Sequence, residues 1–227
     1  TDLARRPLGT TVGNFRTWDD DPNGIRVFIL AGQSNMVGYG QSELGNGGVN
    51  GAIGSLRYEV DNYVGGTEPD YSALVDGGGN WITRSDVKVW WRNSDLAAPR
   101  SVKKGDLTTG FGKGSWIGPE YGFGWVLGDY YTEPVLLIKT AWGGKDLHVD
   151  FRPPNAVAAR GGLVGPYYTG MIDYVREVLS DLGAEVPEWS GMGYQIAGIG
   201  WHQGWNDRVD STRSAHYEDN LVDLIND

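Results

Sequence analysis

The chain has 227 residues, and its 19 basic and 29 acidic side chains give a formal charge of −10. Such a charge repels a nucleic-acid backbone and an anionic membrane surface, and no apolar run reaches the roughly 18 residues needed to span a bilayer. The absence of cysteine excludes disulfides, thiolate nucleophiles and Cys-ligated zinc, and the length fits a single domain, 1–227, with a sizeable core.

In chain order, the first patterned segment is Asp19-Asp-Asp-Pro-Asn-Gly24, which sets Asp19, Asp21 and Asn23 at alternating positions of a calcium loop. Its twelfth position is Leu30 rather than a bidentate glutamate, so a Pro-Asn-Gly turn is expected, with no obligatory metal and no cofactor. Ile25 to Leu30 is a short continuous apolar run, and similar runs recur at Val87 to Trp91, Val135 to Thr140 and Tyr194 to Trp201. Runs of this kind predict four parallel strands covered on both faces. Residues 45–80 are rich in Gly, Asp and Asn without periodicity and read as a long functional loop over the sheet. Helical spacing of Phe123, Val126, Leu127 and Tyr130 predicts a helix over 120–131, and Ile172, Val175, Val178 and Leu179 predict one over 167–182. In 214–227, Tyr217, Leu221, Leu224 and Ile225 share one face and His216, Asn220 and Asp223 the other, which predicts a surface helix. Alternating strands and helices make βαβ units and an α/β fold.

The first predicted strand runs into Ala31-Gly-Gln-Ser-Asn-Met36, placing Ser34 on a glycine-flanked turn at a strand's carboxyl end, where α/β sheets expose nucleophiles. Equally, Ser34 or Asn35 could serve only as a helix N-cap. A second strand exits through Trp142-Gly-Gly144, whose backbone can approach a ligand closely enough to donate to an oxyanion. A third exits through Trp201-His-Gln-Gly204, where the Gln203 carboxamide is positioned to reach the same oxygen. A serine and two donors at neighbouring strand ends make acyl-transfer geometry, with Ser34, Gly144 and Gln203 in the catalytic roles. Gln33, Asn35, Trp142, Gly143, Lys145, Arg152, His202 and Trp205 lie around these turns as candidate substrate contacts. Lys145 and Arg152 are suited to an anionic sugar and equally to a solvated surface. Ten Trp and twelve Tyr beside 36 Gly supply flat faces for sugar rings, with core packing claiming a share.

These three blocks, with Gly118-Pro-Glu-Tyr-Gly-Phe-Gly124 and Asp150-Phe-Arg-Pro-Pro154, resemble the SGNH-hydrolase superfamily of carbohydrate esterases, in particular the sialate O-acetylesterase-like group. The resemblance runs from about Ile25 to Val209. It implies a three-layer α/β/α sandwich with a mainly parallel, flavodoxin-like sheet, Ser34 as nucleophile, and an oxyanion hole from the Ser34 N–H, a glycine N–H of the second block and Gln203. The implied partner is an acetylated carbohydrate, hydrolysed at its O-acetyl group. Separately, the chain opens with Thr1 and not Met, as after removal of a leader or cutting of a fragment, and a secreted or periplasmic setting is expected.

The resemblance also implies a late histidine base after a further strand and helix, and the sequence reaches Asp227 without that pattern. His202 alternates with Gln203 and is expected to face away from it. His148 lies in a stretch that, if extended, sets Asp146, His148, Asp150 and Arg152 on one side as a salt-bridge cluster or substrate rim. His216 falls on the polar face of the last predicted helix. Asp207 and Asp210 orient nothing useful without a histidine. Two expectations remain. Either the sheet lacks its last strand and helix and the base comes from a further segment or a second chain, or the fold is a catalytically inactive carbohydrate-binding relative.

Overall fold

The computed structural model describes residues 24–43, 53–62 and 71–227. The strands are β1 (Ile25–Gly32), β2 (Arg84–Trp91), β3 (Lys103–Leu107), β4 (Val135–Ala141) and β5 (Tyr194–His202). They form one sheet in the order β3-β2-β4-β1-β5, in which β2, β4, β1 and β5 run parallel and β3 lies antiparallel at the β2 edge. All four predicted strands are present. β3 escaped the sequence pattern because Lys103-Lys-Gly-Asp-Leu107 has one apolar residue, as suits an edge strand held by its ladder to β2.

Helices cover both faces. β1 turns into α1 (Ser34–Val37), and α2 (Leu56–Asn62) and α3 (Pro119–Tyr130) follow on the same side. α4 (Pro154–Arg160), α5 (Pro166–Ser180) and α6 (Leu182–Glu185) connect β4 to β5, and α7 (Trp205–Arg208), α8 (Ser211–Ala215) and α9 (Tyr217–Asn226) follow β5. Strand alternation divides the core accordingly. Ile25, Val27 and Ile29 of β1 with Leu136 and Ile138 of β4 face α5 and α9, whereas Phe28 and Leu30 with Val135 and Leu137 face α1 and α3.

α5 buries Met171, Tyr174, Val175, Val178 and Leu179, close to its predicted stripe. α3 does not follow its pattern: Val126 and Tyr130 are exposed, and Glu120, Tyr121, Gly124 and Leu127 are buried. Glycines decide this orientation. A Cβ on Gly124 would lie 2.6 Å from Leu107, and one on Gly128 2.8 Å from Val87, so the helix rests its bare backbone on the sheet.

The predicted C-terminal helix is broken at His216, which separates α8 from α9. Tyr217, Leu221 and Leu224 pack on the core as expected, but Ile225 is exposed and Asn220 is fully buried. Asn220 accepts from Arg160 of α4, which also pairs with Asp223, so the polar stripe docks on another helix instead of facing water. The stretch 45–80, read as loop, contains α2 and a short 3-10 turn at Tyr71–Leu74, and its residues 45–52 and 63–70 lie outside the described portion. No helix of the described residues is long and apolar enough to cross a membrane.

Candidate active site

The chain leaves β1 towards the α3 side, through α1, and leaves β4 towards the α5 side, through α4 and α5. Neighbouring parallel strands whose connections diverge open a crevice at their carboxyl ends, the usual ligand position in an open α/β sheet. A cavity of about 330 Å³ lies there, lined by Val37 after β1, by Ala141 at the end of β4 with Trp142 and Gly143 after it, and by Trp91 at the end of β2 with Asn93 and Asp95 after it. Lys103, Lys113 and Gly112 close its outer wall.

Backbone hydrogen bonds hold the three glycine-rich turns together at the carboxyl ends of β1, β4 and β5. The Trp142 N–H donates to Gly32 O at 3.1 Å, and the Gln33 N–H donates to His202 O at 3.1 Å, so the exit of β1 is fastened on both sides. Gly32 is required at the junction, because a Cβ there would sit 2.2 Å from His202 O. Ser34 follows immediately, half-buried as the first residue of α1, with Asn35 exposed beside it. Gly143 and Gly144 are exposed, and Gly144 has a φ of +74°, in the left-handed region.

The side chains meet differently from expectation in several places. Gln203 does not offer its amide group to the opening: its Nε2 donates to Gln33 Oε1 at 3.2 Å, to Lys145 O at 3.1 Å and to Asp207. Gln33 is likewise buried, and its Oε1 accepts from Gln203 and from the Gly204 and Asn206 N–H groups, so it braces the third turn and is not a substrate contact. Asp207, buried beneath, also accepts from the Leu147 and His148 N–H groups and so ties the third block to the chain leaving the second.

Trp142 is largely core, with its Nε1 donating to Ser94 O and its ring against Phe151 and Tyr167, and only an edge of the residue reaches the cavity lining. Arg152 is buried with its guanidinium on the carbonyls of His148, Gly161 and Ala156, and it borders a second opening, away from the cavity beside β4. Its segment is turned, not extended: the Phe151 N–H returns to Asp146 O, and Asp146 pairs with Arg213. Lys145 lies over the Tyr167 ring with Asp95 at 3.6 Å. The Ala97 N–H, and behind it Tyr167 and Lys145, hold the Asp95 carboxyl below the usual range, so the cavity keeps an anion. His202 is exposed at the end of β5, and Trp205 is 61% exposed with Arg208 over its ring.

His148 and His216 stack on each other, with centroids 5.4 Å apart and planes within 15°. His216 is half-buried by this stacking, contrary to the expected solvated position. Both rings line a separate opening beside Arg160, Leu163 and Thr212. The polar partner at Ser34 Oγ is Gln33 Nε2, at 3.5 Å, and no hydrogen bond joins Ser34 Oγ to a histidine among the described residues.

Residues that escaped the sequence reading complete the site. Asn206 accepts from Gln33 Nε2 and donates to Gly144 O, linking the first block to the second. Its only signal was its place beside Gln203 and Trp205. Tyr39, 46% exposed, meets Trp116 edge-on with Lys113 over its ring, forming an aromatic and cationic rim. Among the described residues no three His, Asp or Glu side chains converge as metal ligands, and Asp19, Asp21 and Asn23 lie outside them.

A mainly parallel α/β sandwich with a serine at its switch point is the architecture in which hydrolases of the SGNH type are built. The chain belongs to the carbohydrate esterase family described as sialic acid-specific acetylesterase, whose family model matches residues 79–227. Ser34 precedes the matched stretch. No curated protein matches. Among solved structures, an Arabidopsis thaliana protein aligns at 18% identity over 89% of this chain and 67% of its own, with a TM-score of 0.48. The carbohydrate acetylesterase XAC1771 of Xanthomonas citri aligns at 13% identity over 88% of this chain and 36% of its own, also at 0.48. NanS aligns at 14% identity over 89% of this chain and 60% of its own, again at 0.48. The chain thus spans between about a third and two thirds of the lengths of these neighbours.

Proposed function

We propose that the protein is a serine esterase that removes O-acetyl groups from carbohydrates through an acyl-enzyme on Ser34. The observation that supports this reading is the hydrogen bonding of the β1 exit, immediately before Ser34, to both the second and third glycine-rich turns. Membership in a carbohydrate esterase family supplies the reaction class.

In this reading Ser34 Oγ attacks the acetyl carbon and gives up its proton, and the sugar hydroxyl leaves carrying one. Water then attacks the acyl carbon, acetate departs and Ser34 regains its hydrogen. Charge on the tetrahedral oxygen is met by the Ser34 N–H at the start of α1 and a glycine N–H of the second turn. Gln203 and Gln33 keep that geometry by bracing the turns, and Gln203 acts as a donor only after it releases its present acceptors. Among the described residues no hydrogen bond joins Ser34 Oγ to a histidine, and the His148–His216 stack lines a different opening, so neither ring of that stack is assigned as the proton acceptor. Exposed Trp205, His202 and Asn35 and the Tyr39 rim are the surfaces offered to the sugar.

That no histidine bonds Ser34 Oγ among the described residues favours a second reading, carbohydrate binding without turnover. Release of 4-nitrophenol from its acetate ester separates the two. Hydrolysis that Ser34→Ala abolishes supports the esterase, whereas acetylated-sugar binding with no Ser34-dependent hydrolysis supports the binding protein.

A further inference from the structure

Glu120 lies in a segment that carries the family resemblance and Lys139 on the strand leading into the second glycine-rich turn, and no step of the proposed hydrolysis uses them. Both are fully buried, yet each carries an ionisable group. Lys139 stands on β4 opposite Leu30 of β1, two residues before Ala141, on the side of the sheet that faces α1 and α3. Its Nζ makes three hydrogen bonds: 2.6 Å to Glu120 Oε2, 2.8 Å to Val37 O and 2.6 Å to Phe111 O. Val37 is the last residue of the helix that Ser34 begins. Phe111 opens the loop that forms the outer wall of the cavity. The Trp91 ring covers the ammonium at 4.6 Å.

Glu120 completes the arrangement by accepting the Gly118 N–H at 2.7 Å on its other oxygen. Around these contacts the chain after Ser34 is laced to the same wall. The Lys113 N–H donates to Gly38 O, and the N–H groups of Gly40 and Ile117 donate to each other's carbonyls. Gly38 and Gly118 touch so closely that a Cβ on Gly38 would lie 2.5 Å from the Gly118 backbone.

We propose that the Lys139–Glu120 pair is a positioning device that fixes the nucleophile helix to the cavity wall and to β4, so that Ser34 and the second glycine-rich turn hold their relative placement. The ammonium has three donors to satisfy, and the two acceptors it finds besides Glu120 are the carbonyl that ends α1 and the carbonyl that begins the wall. Two ionisable groups out of water are costly unless fully bonded, and an apolar pair of equal volume would fill the same space without that cost. Burial pushes Glu120 up and Lys139 down from their ordinary values, the direction expected when the surroundings supply no water.

This inference rests on the esterase reading for its catalytic consequence, and the test separates the two. Lys139→Met and the shape-preserving Glu120→Gln are compared with Leu136→Ala, a cavity substitution on the opposite face of β4, under conditions where every variant is folded. Amide exchange is followed at Gly38, Gly40, Lys113 and Ile117, with 4-nitrophenyl acetate kinetics and a Ser34→Ala control alongside. The expected result is exchange at those four amides at least about ten times faster in the Lys139 and Glu120 variants than in Leu136→Ala, with kcat down by at least about tenfold and KM within about twofold. Exchange at those amides indistinguishable from Leu136→Ala would overturn the proposal, as would unchanged kcat in the presence of Ser34-dependent hydrolysis. If Ser34→Ala retains the parent rate, or no chain turns over the ester, the esterase reading falls and the exchange comparison alone decides the role of the pair.

Discussion

The two faces of the sheet are built on different principles. Towards α5 the core is apolar and aromatic, with Phe151, Trp142, Tyr167 and Tyr174 packed on Leu136 and Ile138. Towards α1 and α3 it is interrupted by Lys139 and Glu120 and by glycines on which backbones rest directly. Packing on the first face tolerates small shifts at modest cost, because dispersion and burial are not directional. Hydrogen bonds on the second face are directional, and they end on the chain that carries Ser34.

Sharpening this comparison begins at its functional end. Ser34→Ala is expected to lower ester hydrolysis by at least about 10³-fold, measured as 4-nitrophenol release, since loss of a serine nucleophile leaves only binding and oxyanion stabilisation. Next come substitutions that cost each face its own kind of energy. Phe151→Ala, on the apolar face, is expected to lower unfolding free energy by about 3–5 kcal/mol through transfer and cavity terms. Lys139→Met is expected to cost a similar ~3–5 kcal/mol by leaving Glu120 buried and unpaired, and adding Glu120→Leu is expected to recover at least half. Failure of the double variant to recover would break the distinction between the faces, because the cost of Lys139→Met would then not come from an uncompensated buried charge. Urea denaturation measures all three.

A smaller effect is expected from the stacked histidines. Burial, followed by the nearby charges of Arg152 and His216, lowers His148 from the ordinary value of 6.5. The folded chain therefore binds fewer protons than the unfolded chain just below that pH. The contribution is complete above about 6.5 and is lost as pH falls through the folded value. Thermal midpoints measured from pH 7.5 to 5 are expected to fall, and to fall less steeply in His148→Gln. The smallest effect belongs to the outer surface of α3, where Val126→Ser is expected to change stability by no more than about 0.5 kcal/mol in the same denaturation experiment, against the expectation from its helical spacing.

The sequence determined the class of the fold. Continuous apolar runs in β1, β2 and β4 belong to strands covered on both sides, the run in β5 to an edge strand that leaves Ile199 exposed, and the α5 stripe to a helix packed on the sheet. It also marked Ser34 and the two glycine-rich turns, because glycine is demanded wherever backbones meet as closely as at Gly32. The tertiary structure alone decided which polar groups meet. Gln203 and Gln33 read as free carboxamides in the sequence and are spent on each other, since hydrogen bonding between residues 170 apart follows no local pattern. α3 turned its glycines and Glu120 inward because Lys139, Leu107 and Val87 waited there, and His216 found His148 because α8 and α9 pack against the chain that follows the second turn. Periodicity reports how much apolar surface a segment must hide. The partner of a buried charge or a bare backbone is set by the contacts that remain after all the segments have packed.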